Sequence, residues 1–364
     1  MNAYKLLTPG PLTTTSTVKK EMLLDRCTWD EDYKSITQKI RSQLLTIAGA
    51  DSTEYTAVLM QGSGTFAVES VMTSAVSRTD KLLIITNGAY GERIVQMAEY
   101  LDLNYSEHRV SYDKQPKEAA LRALLEEDAA ITHIAMVHCE TTTGILNPLE
   151  MVAGLSREYG KTLIIDAMSS FGGIEIDVAG LGIDYLISSA NKCIQGVPGF
   201  GFVIAKLERL KACQGVAHSL SLDLYDQWKG MDKDGKWRFT SPTHVVAAFA
   251  KAIDELIEEG GVSARNARYS ENNRILRSKL AEIGIEAYIS EDKQSPIITT
   301  FLFPNASFDF TEFYKYVKGR GYVIYPGKLT DADTFRIGNI GEIYLQDIEQ
   351  LCSIISDYMG GTEQ

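Results

Sequence analysis

Two residues of opposite charge stand where this chain could do chemistry, Asp166 and Lys192. Asp166 closes the run Thr162-Leu163-Ile164-Ile165-Asp166. Apolar, β-branched runs of this kind predict a buried parallel strand, here with the carboxylate at its carboxyl end. Lys192 follows a second short apolar strand, over 185–188, inside the turn-rich segment 188–199. Open parallel sheets keep their ligands beyond the carboxyl ends of their strands. A lysine amine able to form a Schiff base, with a carboxylate able to keep a pyridinium nitrogen protonated, is the pair that pyridoxal phosphate chemistry requires. Taken alone, the pair fits equally an aspartate that caps a loop and a solvated lysine. The elements around it have to decide.

The nearest of these is a strand over 56–61, the turn Gly62-Ser63-Gly64-Thr65, and a helix over 66–76. Glycines let a ligand approach the backbone, and the free amides of a helix start favour an anion. The turn lacks the lysine of a P-loop, and Val68 stands where Gly-x-Gly-x-x-Gly needs its third glycine, so a nucleotide is disfavoured. Strands over 82–86, 104–110, 131–138, 162–167, 185–188 and 199–206 then alternate, as far as 167, with helices over 90–101, 117–127 and 149–159. This rhythm predicts an α/β fold, a mostly parallel seven-stranded sheet flanked by helices. Two strand-end loops add candidates. Asn87-Gly88-Ala89-Tyr90-Gly91 offers an aromatic ring to stack on a flat cofactor, or simply to pack on its own helix. Glu140-Thr141-Thr142-Thr143-Gly144 offers Thr141 as a donor or as a helix cap.

Residues 207–242 interrupt the rhythm and read as irregular. Helices over 244–259 and 262–283 are separated by Gly260-Gly261, the expected hinge into a small α+β unit. That unit is expected to hold strands over 285–289, 296–303, 322–325 and 334–337 and helices over 310–318 and 344–358. The expected organisation is an N-terminal arm over 1–15, a large domain over 16–260 and a small C-terminal domain over 261–364. Arg336 lies in the otherwise apolar strand 334–337. Its planar fork suits a carboxylate or phosphonate, and an ordinary ion pair is the alternative.

Composition narrows the function classes. With 36 basic against 48 acidic side chains, net charge −12, general nucleic-acid binding is not expected. Five scattered cysteines without a Cys-x-x-Cys pair indicate neither a disulfide framework nor a zinc site. The histidines show no metal-ligand spacing, and no metal is expected. No apolar run approaches the ~20 residues of a membrane span and no signal peptide is evident, so a cytoplasmic protein is expected.

Taken in order, these motifs resemble the fold-type I pyridoxal-phosphate aminotransferases, in the branch with alanine–glyoxylate and serine–glyoxylate aminotransferases. The residues carrying the resemblance are Thr8-Pro9-Gly10-Pro11-Leu12, Gln61–Thr65, Asn87–Gly91, Glu140–Gly144, Asp166, Ser189–Lys192 and Phe335–Gly338. The stretches 6–11, 25–30 and 191–199 look most like members with 2-aminoethylphosphonate as amine donor and pyruvate as acceptor. The resemblance implies that Lys192 bonds the cofactor and shuttles the proton, while Asp166 holds the ring nitrogen. It implies that Ser63, Gly64, Thr65 and Asn191 hold the 5′-phosphate, with Thr240 reaching it from the neighbouring subunit of a homodimer. Tyr90, where relatives often carry Trp, would stack on the ring; Thr141 and Met168 would contact it. Arg336, with Pro9 and Gly10, would hold the substrate's acid group. Alternatives are an alanine– or serine–glyoxylate aminotransferase, a desulfurase (disfavoured, because Cys352 falls in a helical stripe), and a non-catalytic phosphate- or nucleotide-binding module.

Overall fold

In the computed structural model, which describes residues 4–329 and 332–361, seven strands form one sheet in the order Tyr55–Gln61, Phe200–Lys206, Tyr185–Ser189, Thr162–Asp166, His133–Val137, Lys81–Thr86, Asn104–Arg109. Phe200–Lys206 runs antiparallel to both neighbours, and all other pairings are parallel. Six strands therefore point one way and release their carboxyl ends along one edge. Thr162–Asp166 lies inside the sheet, buried at every residue, as its unbroken apolar run requires. The register sets Asp166 level with Val137 on one side and Ile187 on the other.

Most expected elements appear with shifts of one to three residues at their ends; the strand expected over 322–325 is split into Tyr322–Val323 and Tyr325–Pro326, which belong to different sheets. One shift matters: the helix after the first sheet strand is Gly64–Ala75, so Gly64 and Thr65 belong to its first turn. Residues 207–242 are not irregular throughout; they contain helices Leu207–Ala212 and Leu224–Asp234. The second has its own signals, Asp223 accepting from the Asp226 amide at 3.0 Å and Gly235 ending it at φ 85°. The expected strand over 285–289 is absent. The Ile285 amide closes the preceding helix on Leu280, and Ser290 leads into a 3₁₀ turn, which leaves a single bridge from Ala287 to Phe301.

In the C-terminal part, Thr334–Gly338 is the centre of an antiparallel sheet with Ile298–Leu302 and Tyr325–Pro326. Strand alternation turns Phe335 and Ile337 into an aromatic core with Phe301 and Phe313, and Arg336 to the opposite face. The arm is not a free lead-in. Lys5–Leu6 pairs in parallel with Tyr322–Val323, and Leu7 is buried in the C-terminal core. Of the arm expected over 1–15, residues 1–3 lie outside the described residues, as do 362–364 at the far end.

Candidate active site

The edge where the parallel strands end surrounds a cavity of about 200 Å³. Ser63, Gly64 and Thr65 form one wall. Ser63 is extended at φ −77° and ψ 170° and starts the helix without a side-chain cap; the Phe66 amide donates to the Ser63 carbonyl at 3.0 Å, and the Gly64 and Thr65 amides have no hydrogen-bond partner among the described residues. The Gly64 position is spatially closed: a Cβ there would lie 2.3 Å from Met168 Sδ. Tyr90, Thr141, Asp166, Met168, Asn191 and Lys192 complete the expected lining.

Asp166 is 6% exposed and accepts from the Met168 amide at 2.9 Å. Burial raises its carboxyl to about 6 against that hydrogen bond; Glu140 adds to the rise and Lys192 opposes it. Burial pulls the Lys192 amine below its ordinary range, partly offset by Tyr90, Cys193 and Asp166. Burial also pushes the Tyr90 phenol up, but Lys192 and Lys328 outweigh it and hold the phenol below its usual value. His138, behind the sheet edge, is pushed down to about 4 by burial and is neutral at physiological pH. Burial pushes the Cys139 thiol in the cavity wall, and the adjacent Cys193, up to about 12, so neither is a thiolate nucleophile. Cys352, weighed for desulfurase chemistry, is buried in the last helix.

The turn bearing Lys192 is rigidly backed. Gln195, at φ 67°, donates its amide to the Lys192 carbonyl at 2.7 Å. Its side-chain oxygen accepts from Tyr269 Oη at 2.9 Å, and Arg265 Nη1 donates to the Cys193 carbonyl at 2.8 Å. Both supports come from helix Gly261–Glu282.

Four expected residues, Pro9, Gly10, Arg336 and Thr240, lie off the cavity wall. Pro9 presents its carbonyl to Lys192 Nζ, and a Cβ on Gly10 would lie 2.8 Å from Lys192 Cδ, so the arm packs on the amine. Arg336 is 3% exposed and donates from Nη1 to the Thr141 carbonyl at 2.9 Å and from Nε to the Pro326 carbonyl at 3.0 Å. Its Nη2 has no hydrogen-bond partner among the described residues. Thr240 is exposed and does not line the cavity.

Sequence reasoning missed four contributors. Arg93, three residues after Tyr90 on one helix face, lines the cavity, and that spacing was a readable signal. Glu140 is fully buried and binds the loop carrying Thr141 to the helix carrying Tyr90, accepting from the Thr142 amide and hydroxyl and from the Tyr90 and Gly91 amides. Lys328 Nζ stands 4.5 Å from the Tyr90 ring centre. Ser169 also lines the cavity, and no local signal marked it.

These residues fit pyridoxal phosphate. The uncovered amides and hydroxyls of Ser63–Thr65 suit its phosphate, Asp166 its ring nitrogen, and the amine of Lys192 its aldehyde. Residues 26–329 match the aminotransferase class-V family, and the chain belongs to that family. It is similar to a 2-aminoethylphosphonate–pyruvate transaminase of Lysinibacillus sphaericus (strain C3-41), 66% identical over 99% of this chain and 98% of that one. A transaminase of the same description from Bacillus cytotoxicus is 57% identical over 97% of each. Among solved structures, alanine–glyoxylate aminotransferase from Nostoc sp. shares the fold with a TM-score of 0.91 at 24% identity, over 98% of this chain and 95% of that one.

Proposed function

We propose that this aminotransferase moves the amino group of 2-aminoethylphosphonate to pyruvate, giving phosphonoacetaldehyde and L-alanine. The observation carrying the reading is the meeting, in one cavity beside uncovered helix amides, of the Lys192 amine and the Asp166 carboxylate. The transaminases similar over nearly the whole chain support the choice of substrates.

When bound, pyridoxal phosphate supplies an electron sink for the negative charge left on the donor's carbon as its proton departs. Lys192 would hold the cofactor between turnovers and would carry that proton on Nζ. A lowered amine pKa increases the share of free base available for this. Asp166 would keep the ring nitrogen protonated, and a cationic partner there brings its carboxyl back down. Ser63, Gly64, Thr65 and Asn191 would bind the phosphate. Tyr90 and Met168 would pack on the ring, and Thr141 would contact its edge. Arg336 Nη2 would take the phosphonate of the donor and the carboxylate of the acceptor in turn, with Pro9 and Gly10 closing the arm over the amine.

The working form is a homodimer in which Thr240 reaches the phosphate of the neighbouring site. Its exposure, together with exposed Leu23, Trp29, Phe66 and Phe239, supports this. The compartment is the cytoplasm; all five cysteines are free, which suits reducing surroundings. The domains are an arm over 1–15, a large domain over 16–260 and a small one over 261–364. The separate apolar core around Phe335 supports the last.

The test is product analysis. Holoprotein given 2-aminoethylphosphonate and pyruvate should form alanine and phosphonoacetaldehyde one for one, and Lys192→Ala should form neither. Turnover by Lys192→Ala, or a preference for alanine or serine with glyoxylate, would end this reading.

A further inference from the structure

We infer that Arg93 is a further arm of the cofactor's phosphate site, facing the helix-start cradle from helix Ala89–Tyr100. This rests on pyridoxal phosphate being the cofactor and adds a residue to the set that holds it. Arg93 is half-buried and lines the cavity. Among the described residues its guanidinium has no carboxylate within ion-pair distance; Asp166 feels its charge only at longer range. Its one hydrogen bond there is a long one, Nη1 to Thr65 Oγ1 at 3.4 Å. The guanidinium carbon lies 5.0 Å from the Tyr90 ring centre, which steadies the side chain but neutralises nothing. The adjacent acid, Glu92, is committed to Arg109 at 3.1 Å.

A partly desolvated cation without a counter-ion is unfavourable unless a ligand brings the missing charge. In this cavity wall the one carboxylate is Asp166, which the ring nitrogen claims. Thr65 Oγ1, the atom that Arg93 touches, belongs to the cradle itself. A phosphate seated there would be met by uncovered amides from one helix and a planar fork from the next, the geometry in which arginine outperforms lysine. Arg336 is committed to the Thr141 and Pro326 carbonyls and does not line this cavity, so the two arginines serve different anions.

The test is cofactor binding by full-length apoprotein, followed by visible absorbance and tryptophan fluorescence. Pyridoxal phosphate and phosphate-free pyridoxal are titrated separately. Arg93→Gln should weaken pyridoxal phosphate about 10- to 100-fold, the range for a charge-assisted hydrogen bond, and leave pyridoxal unchanged. Arg93→Lys should fall between, since it keeps the charge and loses the fork. The pyridoxal titration also reports whether the variant site is intact. Equal weakening of both ligands would mean a structural role and overturn the inference. So would unchanged cofactor affinity with a raised KM for 2-aminoethylphosphonate, which would make Arg93 a substrate residue.

Discussion

Replacing Glu140 with Gln tests whether a buried charge ties two walls of the site together. One carboxylate oxygen accepts from the Thr142 amide at 3.1 Å and the Thr142 hydroxyl at 2.6 Å. The other accepts from the Tyr90 and Gly91 amides at 3.1 and 3.2 Å, at the start of helix Ala89–Tyr100. Burial raises this carboxyl above its ordinary value, while four donors and the helix dipole favour its ionised form. Glutamine has one acceptor oxygen where the carboxylate has two. In its less costly orientation the oxygen faces the helix amides and the NH₂ faces Thr142, whose hydroxyl can turn to accept. The Thr142 amide is then orphaned, at about 1–3 kcal/mol, and the bonds that survive lose their charge assistance, roughly 1 kcal/mol more. We therefore expect Glu140→Gln to cost about 2–4 kcal/mol, read as a melting temperature several degrees lower in apoprotein. Gly88→Ala should act through the same atoms, because its Cβ would lie 2.2 Å from Glu140 Cγ. The double variant should then be much less destabilised than the sum of the two. A Glu140→Gln protein as stable as the parent would refute the reasoning and show that Glu140 carries a proton in the fold.

Arg336→Lys keeps the charge but loses the fork that spans Thr141 and Pro326; KM for both 2-aminoethylphosphonate and pyruvate should rise at least about tenfold with a smaller change in kcat. Unaltered KM values would place the acid site elsewhere. Asp166→Asn can still accept from the Met168 amide but cannot hold a proton on the ring nitrogen by charge; kcat should fall by about a hundredfold or more, and an unchanged kcat would remove Asp166 from the chemistry. Burial pushes Glu259 up, but Arg268 and Arg265 outweigh it and hold its carboxyl below the ordinary range. Its stabilisation is therefore present above the unfolded carboxyl's pKa and lost as pH falls through the lower folded value. Acid titration of tryptophan fluorescence should show a shallower pH dependence of stability in Glu259→Gln than in the parent, and an identical dependence would remove Glu259 from the acid response.

The sheet-edge positions of Asp166 and Lys192 were legible because Asp166 closes, and Lys192 comes soon after, a short apolar run of strand composition, and parallel strands release their carboxyl ends along one edge. The cradle was legible for the same local reason, glycine and hydroxyl residues between a strand and a helix. The helix over 224–234 could have been read from Asp223 and Gly235, whose capping chemistry is also local. Other features had no such signal. The short run at 285–289 has strand composition, yet neighbours on both sides claim its ends. Glu140, Lys328 and the Pro9 carbonyl reach the site through contacts between segments tens to hundreds of residues apart. The contact of Arg336 with the Thr141 carbonyl depends on strand alternation in the C-terminal sheet meeting a loop of the large sheet. Chemistry carried by a residue's own flanks can be read along the chain; chemistry carried by a hydrogen bond across the fold exists only once the elements have packed.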